Sequence, residues 1–436
     1  MTGPRVVLFH RDLRVHDHPA LAAACAAGQV VPLFVVDPGI PAGANRRAFL
    51  AASLRDLRHS LRERGGDLLV RRGDPVEEAI RVATAVGASG IEATADVSTY
   101  ATARQRRLAQ VCDQARVPLT LHAGVTVVPA GELRPAAGGY YQIFTPYWRV
   151  WQHHRWRDEA PAPARIRLPR TVTGDDPGTL TAPAGRTAPD LATGGEAAGL
   201  RLLDEWTGHV AQYDQLHDDL AADRTSRLSA YLHFGCVSAR AVAAACADHP
   251  AFLRQLCWRD FYHQVLAGFP ALPRRALRRR AADTWREDSD ALAAWQSGHT
   301  GMPVVDAGMR QLAAEGFLHN RARLITASYL TKTLGLDWRA GARWYDEQLV
   351  DADVANNYGN WQWVAGTGND ARPYRGFNPV RQARRFDPDG AYVRRWVPEL
   401  ADLDGPAVHE PWLLPPARRR RLAYPPPIAA VPERSR

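Results

Sequence analysis

The feature that most constrains the fold is the spacing of five short apolar runs near the start: RVVLF at 5–9, VVPLFVVD at 30–37, DLLVRRG at 67–73, GIEATADV at 90–97 and VPLTLHAG at 117–124. Each run has the length of a strand, and each gap has room for one helix. Residues 45–64, for example, carry Phe49, Leu50, Leu54, Leu57 and Leu61 on one stripe. Strand and helix in alternation predict a doubly wound parallel sheet, since a parallel neighbour is reached only through a crossover. No GxGxxG follows the first run, so the standard dinucleotide fingerprint is missing and any ligand is expected at the carboxyl ends of the strands.

From about Arg155 to Gly199 the composition turns to Pro, Ala, Gly and Thr with neither period, which reads as a long linker draped over the surface. Beyond it the pattern is helical almost throughout, with no internal repeat. The organisation expected is an α/β domain over 1–130, an interdomain linker over 131–199 and an all-α domain over 200–436, a length that suits two cores.

The chain carries a net charge of +9, and Lys332 is the only lysine among its cations. Arg presents a fork that matches phosphate oxygens, so the balance suits a polyanionic partner, although solubility alone also accounts for it. Five cysteines without CxxC spacing give neither a disulfide framework nor a zinc site, and no metal is expected; a reducing cytoplasm fits. The first apolar run is interrupted by charge and no run of eighteen apolar residues occurs, which argues against a signal peptide or membrane span.

Several stretches are candidates for chemistry. In DRTSRLSAYLHFG, Thr225, Ser226 and Ser229 sit at a helix start and could seat a phosphate or serve as ordinary caps. In RQLCWRDFYHQ, the ordinary reading makes Trp258 core and Arg259–Asp260 a solvated pair. In GFLHNRARLITASYL, Asn320, Arg321 and Arg323 stand at a helix start before a buried run; a buried Arg there needs an acid, for which Asp351 and Asp353 are the candidates, and phosphate binding by Arg321 is the competing use. Thirteen Trp against eleven Phe is the strongest oddity, because indoles stack on bases and flat cofactors and can lose an electron.

At these residues the sequence resembles the photolyase/cryptochrome family. TSRLSAYLHFG, WRDFYHQ, TGMPVVDAGMRQL, LHNRARLITASYL and DADVANNYGNWQW follow that family's order and approximate spacing, and VVLFHRDLRVHDHPAL resembles its opening strand and loop. The likeness spans nearly the whole chain and is strongest to class I cyclobutane pyrimidine dimer (CPD) photolyases. It implies an α/β antenna domain and a helical domain holding folded FAD. The implied activity is light-dependent DNA repair, in which excited reduced flavin passes an electron to a dimer flipped out of UV-damaged DNA, with the protein acting as a cytoplasmic monomer.

Residue by residue, the resemblance implies that Tyr213, Thr225, Ser226, Arg227, Leu228 and Ser229 hold the FAD phosphates and ribityl chain. Asp351 and Asp353 would meet flavin and adenosine, Arg323 would lie over the isoalloxazine paired to Asp351, and Asn357 would face flavin N5. Trp258 and Trp363 would wall the flipped dimer, with Asn320 and Arg321 at its base edge and backbone. Trp361, Trp338 and Trp285 would form a photoreduction chain. DNA contacts would come from Trp258, Arg259, Asn320, Arg321, Arg381 and Arg384, with Arg274, Arg275, Arg278, Arg279, Arg280 and Arg385 around the pocket mouth.

Two departures from the CPD pattern stand out. Gln255 occupies a position where CPD enzymes commonly carry Glu and (6-4) enzymes Gln, and Leu324 stands where Met is frequent. Asn320, where (6-4) enzymes place His, favours CPD repair; the alternatives are (6-4) repair and a cryptochrome-like photosensor. For the antenna, GANRRAFLAASL and TADVSTYATARQRR look more like the 8-hydroxy-5-deazaflavin type, through Arg11, Phe34, Arg47 and Asp96; methenyltetrahydrofolate is the alternative.

Overall fold

A computed structural model of the chain describes residues 3–169, 185–278, 284–369 and 376–430; Arg279 and Arg280 lie outside the described residues. The chain divides into two compact units, Met1–Thr187 with Ala192–Ala211 and Ser226–Pro270, and Ala188–Leu191 with Gln212–Thr225 and Ala271–Arg436.

The first unit is built on β1 (Arg5–Phe9), β2 (Val30–Val36), β3 (Leu69–Arg72), β4 (Gly90–Thr94) and β5 (Leu119–His122), all parallel, in the order β3-β2-β1-β4-β5. All five strands fall on the five apolar runs, which bears out the expected doubly wound sheet. Central strands of such a sheet are covered on both faces, so they read as continuous apolar runs rather than alternating ones. Accordingly Val6, Leu8, Val31, Leu33 and Ile91 are buried with Leu69, Val76 and Leu108 in one core. Helix Ala44–Glu63 buries four residues of the expected stripe, Phe49, Leu54, Leu57 and Leu61, while Leu50 is half-buried. Helix Pro75–Ala85 starts where Asp74 accepts from the amides of Val76 and Glu77 at 2.9 and 3.1 Å.

The chain reverses direction in the sheet between β1 and β4, and the crevice beyond their carboxyl ends is the expected ligand position. Asp12 sits there, fully buried, accepting from Thr94 Oγ1 at 2.6 Å and the His10 amide at 2.7 Å.

Residues 155–169 of the expected linker are pinned on the same unit. Arg157 clamps Asp17 through both guanidinium nitrogens, at 2.5 and 2.6 Å, and the Ile166 amide donates to Arg64 O at 2.7 Å. Within 131–199, Phe144–Trp151 forms a helix.

The second unit is helical, as expected. Helices Pro303–Glu315, Asn320–Ser328, Trp338–Gln348 and Val354–Ala365 form its centre, and a π turn, Tyr329–Thr333, follows the second of them. Buried Asp306 secures its chain end, accepting from Thr300 N, Thr300 Oγ1 and Gly301 N at 2.8, 2.7 and 3.0 Å and from the Tyr424 hydroxyl.

Candidate functional site

In the second unit the stretch Asp351–Trp363 is organised around two carboxylates with different tasks. Asp353 caps helix Val354–Ala365, its Oδ1 accepting from Asn356 N at 2.9 Å and Asn356 Nδ2 at 2.8 Å. Asp351, buried just before it, receives Arg323 Nη2 on both oxygens, at 3.1 and 2.8 Å. Arg323 Nε is held by Leu318 O at 2.8 Å, so the guanidinium is fixed at two points. The pairing expected between Arg323 and Asp351 is therefore made.

Arg323 owes its position to helix Asn320–Ser328, whose cap is His319: the buried imidazole Nδ1 accepts from Arg321 N at 3.1 Å. Asn320 is exposed at the helix start. Arg321 forks onto Asp218 at 3.0 and 2.5 Å and lies 4.3 Å over the Phe386 ring. Asn357, one turn into helix Val354–Ala365, donates Nδ2 to Ala342 O at 3.0 Å, which leaves its side-chain oxygen for a donor.

Trp361 is buried against Gly341, where a Cβ would come within 2.2 Å of the indole, so only glycine fits. Its ring partners are Tyr345, at 5.0 Å, and Trp295, at 6.1 Å, both edge-on. Trp338 is fully buried beneath the Arg339 guanidinium at 4.7 Å, edge-on to Tyr358 at 6.5 Å. Neither Trp338 Nε1 nor Trp361 Nε1 has a hydrogen-bond partner among the described residues. Trp285 is half-buried beside the single bridge Arg286–Leu336, and half-buried Trp363 tilts against Phe377 at 6.3 Å. Trp295 was not singled out from the sequence: on its short helix it looks like any other packing Trp.

Helix Pro379–Phe386 exposes Arg381, Arg384 and Arg385, and Arg384 pairs with Glu410. Asp387 ends this helix and accepts from Tyr392 N and Val393 N at 2.9 and 3.1 Å; burial pushes its carboxyl up to about 6, against those amides and Arg394. Tyr213, at the start of a short helix, is pushed up by burial and by Asp218.

The first unit carries Gln255, exposed, and Trp258, half-buried, on helix Pro250–Gly268. The pair expected at Arg259–Asp260 is made, with Nη1 3.9 Å from Oδ1, but it is buried rather than solvated. Asp260 is 1% exposed and accepts from Trp151 Nε1 at 2.9 Å and from the amides of Val127 and Val128 at 3.3 and 2.9 Å. Arg259 gives Nη1 to Val125 O at 2.6 Å and Nη2 to Leu232 O at 3.3 Å. Both are internal struts, because one carboxylate and one guanidinium can satisfy several loop groups that no helix or sheet pairs.

Leu228 precedes helix Ser229–Phe234, and Arg227 adopts φ +50°, which turns the chain into it. Ser226 Oγ accepts from Leu228 N at 3.4 Å. In the second unit, Thr225 Oγ1 is buried without a hydrogen-bond partner among the described residues. A buried hydroxyl left unpaired is costly, so Thr225 suits a polar group such as a phosphate oxygen. In the first unit, Ser229 Oγ is likewise buried without a partner among the described residues.

At the sheet crevice, Arg11 pairs with Asp96 at 3.3 Å and donates Nε to His233 O at 2.9 Å. Phe34 lies buried on β2 and Arg47 on helix Ala44–Glu63. Burial and the Arg104 charge push His10 down to about 3, so it stays neutral beside these ions.

Among the described residues no group of His, Cys, Asp or Glu could hold a metal ion, and no helix is long and apolar enough to cross a membrane.

Comparison with known proteins supplies the context. Residues 5–165 match the family model described as DNA photolyase, and residues 252–436 match the FAD binding domain of DNA photolyase. A deoxyribodipyrimidine photo-lyase of Streptomyces griseus is 48% identical over 98% of this chain and 96% of its own length. A cryptochrome DASH of Gloeobacter violaceus is 36% identical over 97% and 92%. The crystal structure of a bacterial class III photolyase from Agrobacterium tumefaciens superposes with a TM-score of 0.94 at 33% identity, covering 99% of this chain and 95% of that one.

Proposed function

This chain belongs to the DNA photolyase/cryptochrome family, and from that premise we propose that it is a light-dependent deoxyribodipyrimidine photo-lyase that repairs CPDs, acting as a monomer in the cytoplasm. The observation that carries the reading is the doubly anchored Arg323 on buried Asp351 at the head of the Asp353-capped helix, inside the span matched to an FAD-binding domain. FAD, when bound, supplies the light absorption and the electron that a pyrimidine dimer needs to split.

The chain's own residues have separable tasks. Tyr213, Thr225, Ser226, Arg227, Leu228 and Ser229 would receive the phosphates and ribityl chain; the buried Thr225 hydroxyl, without a hydrogen-bond partner among the described residues, supports this. Arg323 and Asp351 would present a fixed charge pair to the flavin ring, and Asp353 would meet the adenosine. Asn357, with one amide hydrogen given to Ala342 O, would offer its side-chain oxygen to the flavin N5 edge.

Trp361, Trp338 and Trp285 carry electrons inward.

For the lesion, Trp363 and Trp258 each offer an indole, Gln255 donates its amide N–H to a pyrimidine carbonyl, and Asn320 with Arg321 reaches the base edge and backbone. Arg381 and Arg384 meet phosphates. A bound antenna, of the 8-hydroxy-5-deazaflavin type or else methenyltetrahydrofolate, would use Arg11, Phe34, Arg47 and Asp96.

The (6-4) alternative rests on Gln255, and the similarity to a cryptochrome DASH keeps a photosensor as a further reading. Illumination of reduced holoprotein with separate CPD and (6-4) oligonucleotides decides among them. Product from the first alone supports the proposal, product from the second alone replaces it with (6-4) repair, and product from neither favours the photosensor.

A further inference from the structure

Phe144 lies outside every motif that drew attention in the sequence, yet its ring sits flush on Trp258, with centroids 3.6 Å apart and planes 4° from parallel. Aromatic pairs left to themselves prefer offset or edge-on geometry, so a face-to-face stack this close is imposed by the elements that carry the rings. Those elements are tied together twice. Trp151, on the helix that begins at Phe144, donates to Asp260 at 2.9 Å, and Gln264 exchanges two hydrogen bonds with the Tyr141 backbone, at 3.0 and 2.7 Å.

Phe261 is edge-on to both stacked rings, at 5.7 and 5.5 Å, and stops them from sliding sideways. Arg254, one turn before Trp258, lies over the Phe144 ring at 5.4 Å. Phe144 is itself buried, whereas Trp258 keeps part of its surface open. Phe144 thus occupies one face of the indole, Phe261 and Tyr262 pack on it as well at 5.5 and 5.7 Å, and the ring is held in a single orientation while part of its surface stays open to a ligand.

We infer that Phe144 is a positioning residue that sets the orientation of Trp258 for the flipped-out dimer, an inference resting on the reading of Trp258 as a lesion contact. A freely rotating indole would have to be ordered on binding, and the stack orders it beforehand. That pre-ordering is worth about two- to tenfold in affinity for one side chain.

The test measures equilibrium binding of holoprotein to a CPD oligonucleotide and to its undamaged twin, for wild type, Phe144→Leu, Phe144→Tyr, Trp258→Phe and Phe144→Leu/Trp258→Phe. Melting midpoint and flavin content are followed in parallel, and Phe144→Met replaces the leucine variant if that variant fails to fold. Phe144→Leu is expected to weaken lesion binding by about two- to tenfold, to spare undamaged DNA, and to add less than about twofold in the Trp258→Phe background. Phe144→Tyr is expected to stay near wild type.

An unchanged lesion affinity for well-folded Phe144→Leu, or an equal loss with and without Trp258, overturns the inference. If Trp258→Phe weakens lesion binding while Phe144→Leu does not, only the positioning role falls. If Trp258→Phe itself has no effect, the assignment of Trp258 to the lesion falls and this inference falls with it.

Discussion

Arg323 and Asp351 form a bidentate pair in which the carboxylate is buried and the guanidinium has a second tether on Leu318 O. Removing one member of such a pair strands the other. Arg323→Leu is therefore expected to cost about 3 kcal/mol of stability and to lower bound flavin, whereas Asp351→Asn, which keeps an acceptor, should cost less of both. Chemical denaturation and the visible spectrum of purified protein check this; equal flavin content in both variants and wild type would contradict it.

Trp361 packs where only Gly341 leaves room, so its ring cannot swing away from its place. Trp361→Phe retains the shape and loses the oxidisable indole. The variant should bind flavin normally, while its photoreduction by an external thiol slows at least about tenfold, with repair after chemical reduction retained. Transient absorption checks this: an unchanged photoreduction rate would remove Trp361 from the chain.

Asp387 gives a pH signature. The group titrates near about 4 in an unfolded chain and about 6 when folded, so between those values the folded state keeps a proton that the unfolded state releases. Its contribution to stability is greatest below about pH 4 and is lost as pH rises through 6. Relative to Asp387→Asn, wild type should lose about 2–3 kcal/mol of unfolding free energy between pH 4 and 7. Denaturant titrations along that range check the sign; a difference that grows in favour of wild type with rising pH would contradict it.

Arg381 stands exposed on helix Pro379–Phe386. If it meets a phosphate, Arg381→Ala should weaken damaged and undamaged DNA alike and flatten the dependence of log affinity on log salt by about one unit. A loss confined to damaged DNA would point to lesion contact instead.

The α/β half was legible because a covered parallel sheet writes its strands as unbroken apolar runs, and helix Ala44–Glu63 displays a single stripe. That an Arg of this stretch would need Asp351 or Asp353 was legible because a cation ahead of a buried run demands an acid, whereas the choice of Arg323 and Asp351 came from the family resemblance. Asp260 was misread: Arg259–Asp260 has the form of a surface pair, and its true partners, Val127, Val128 and Trp151, are more than a hundred residues away. Trp295 and Phe144 escaped notice for the same reason, since an aromatic on a helix gives no local sign of which ring it will meet. The pinning of the Pro- and Ala-rich stretch by Arg157 on Asp17 was equally silent, because irregular backbone has no period to read.

The central claim is tested most directly by exposing reduced holoprotein, mixed with an oligonucleotide containing one CPD, to blue light and following the return of thymine absorbance against a dark control. The account predicts recovery of intact thymines in the illuminated sample alone, with loss of activity in Asn357→Ala and Trp363→Ala. Flavin-loaded protein that binds the damaged strand and leaves the dimer intact under light would contradict it.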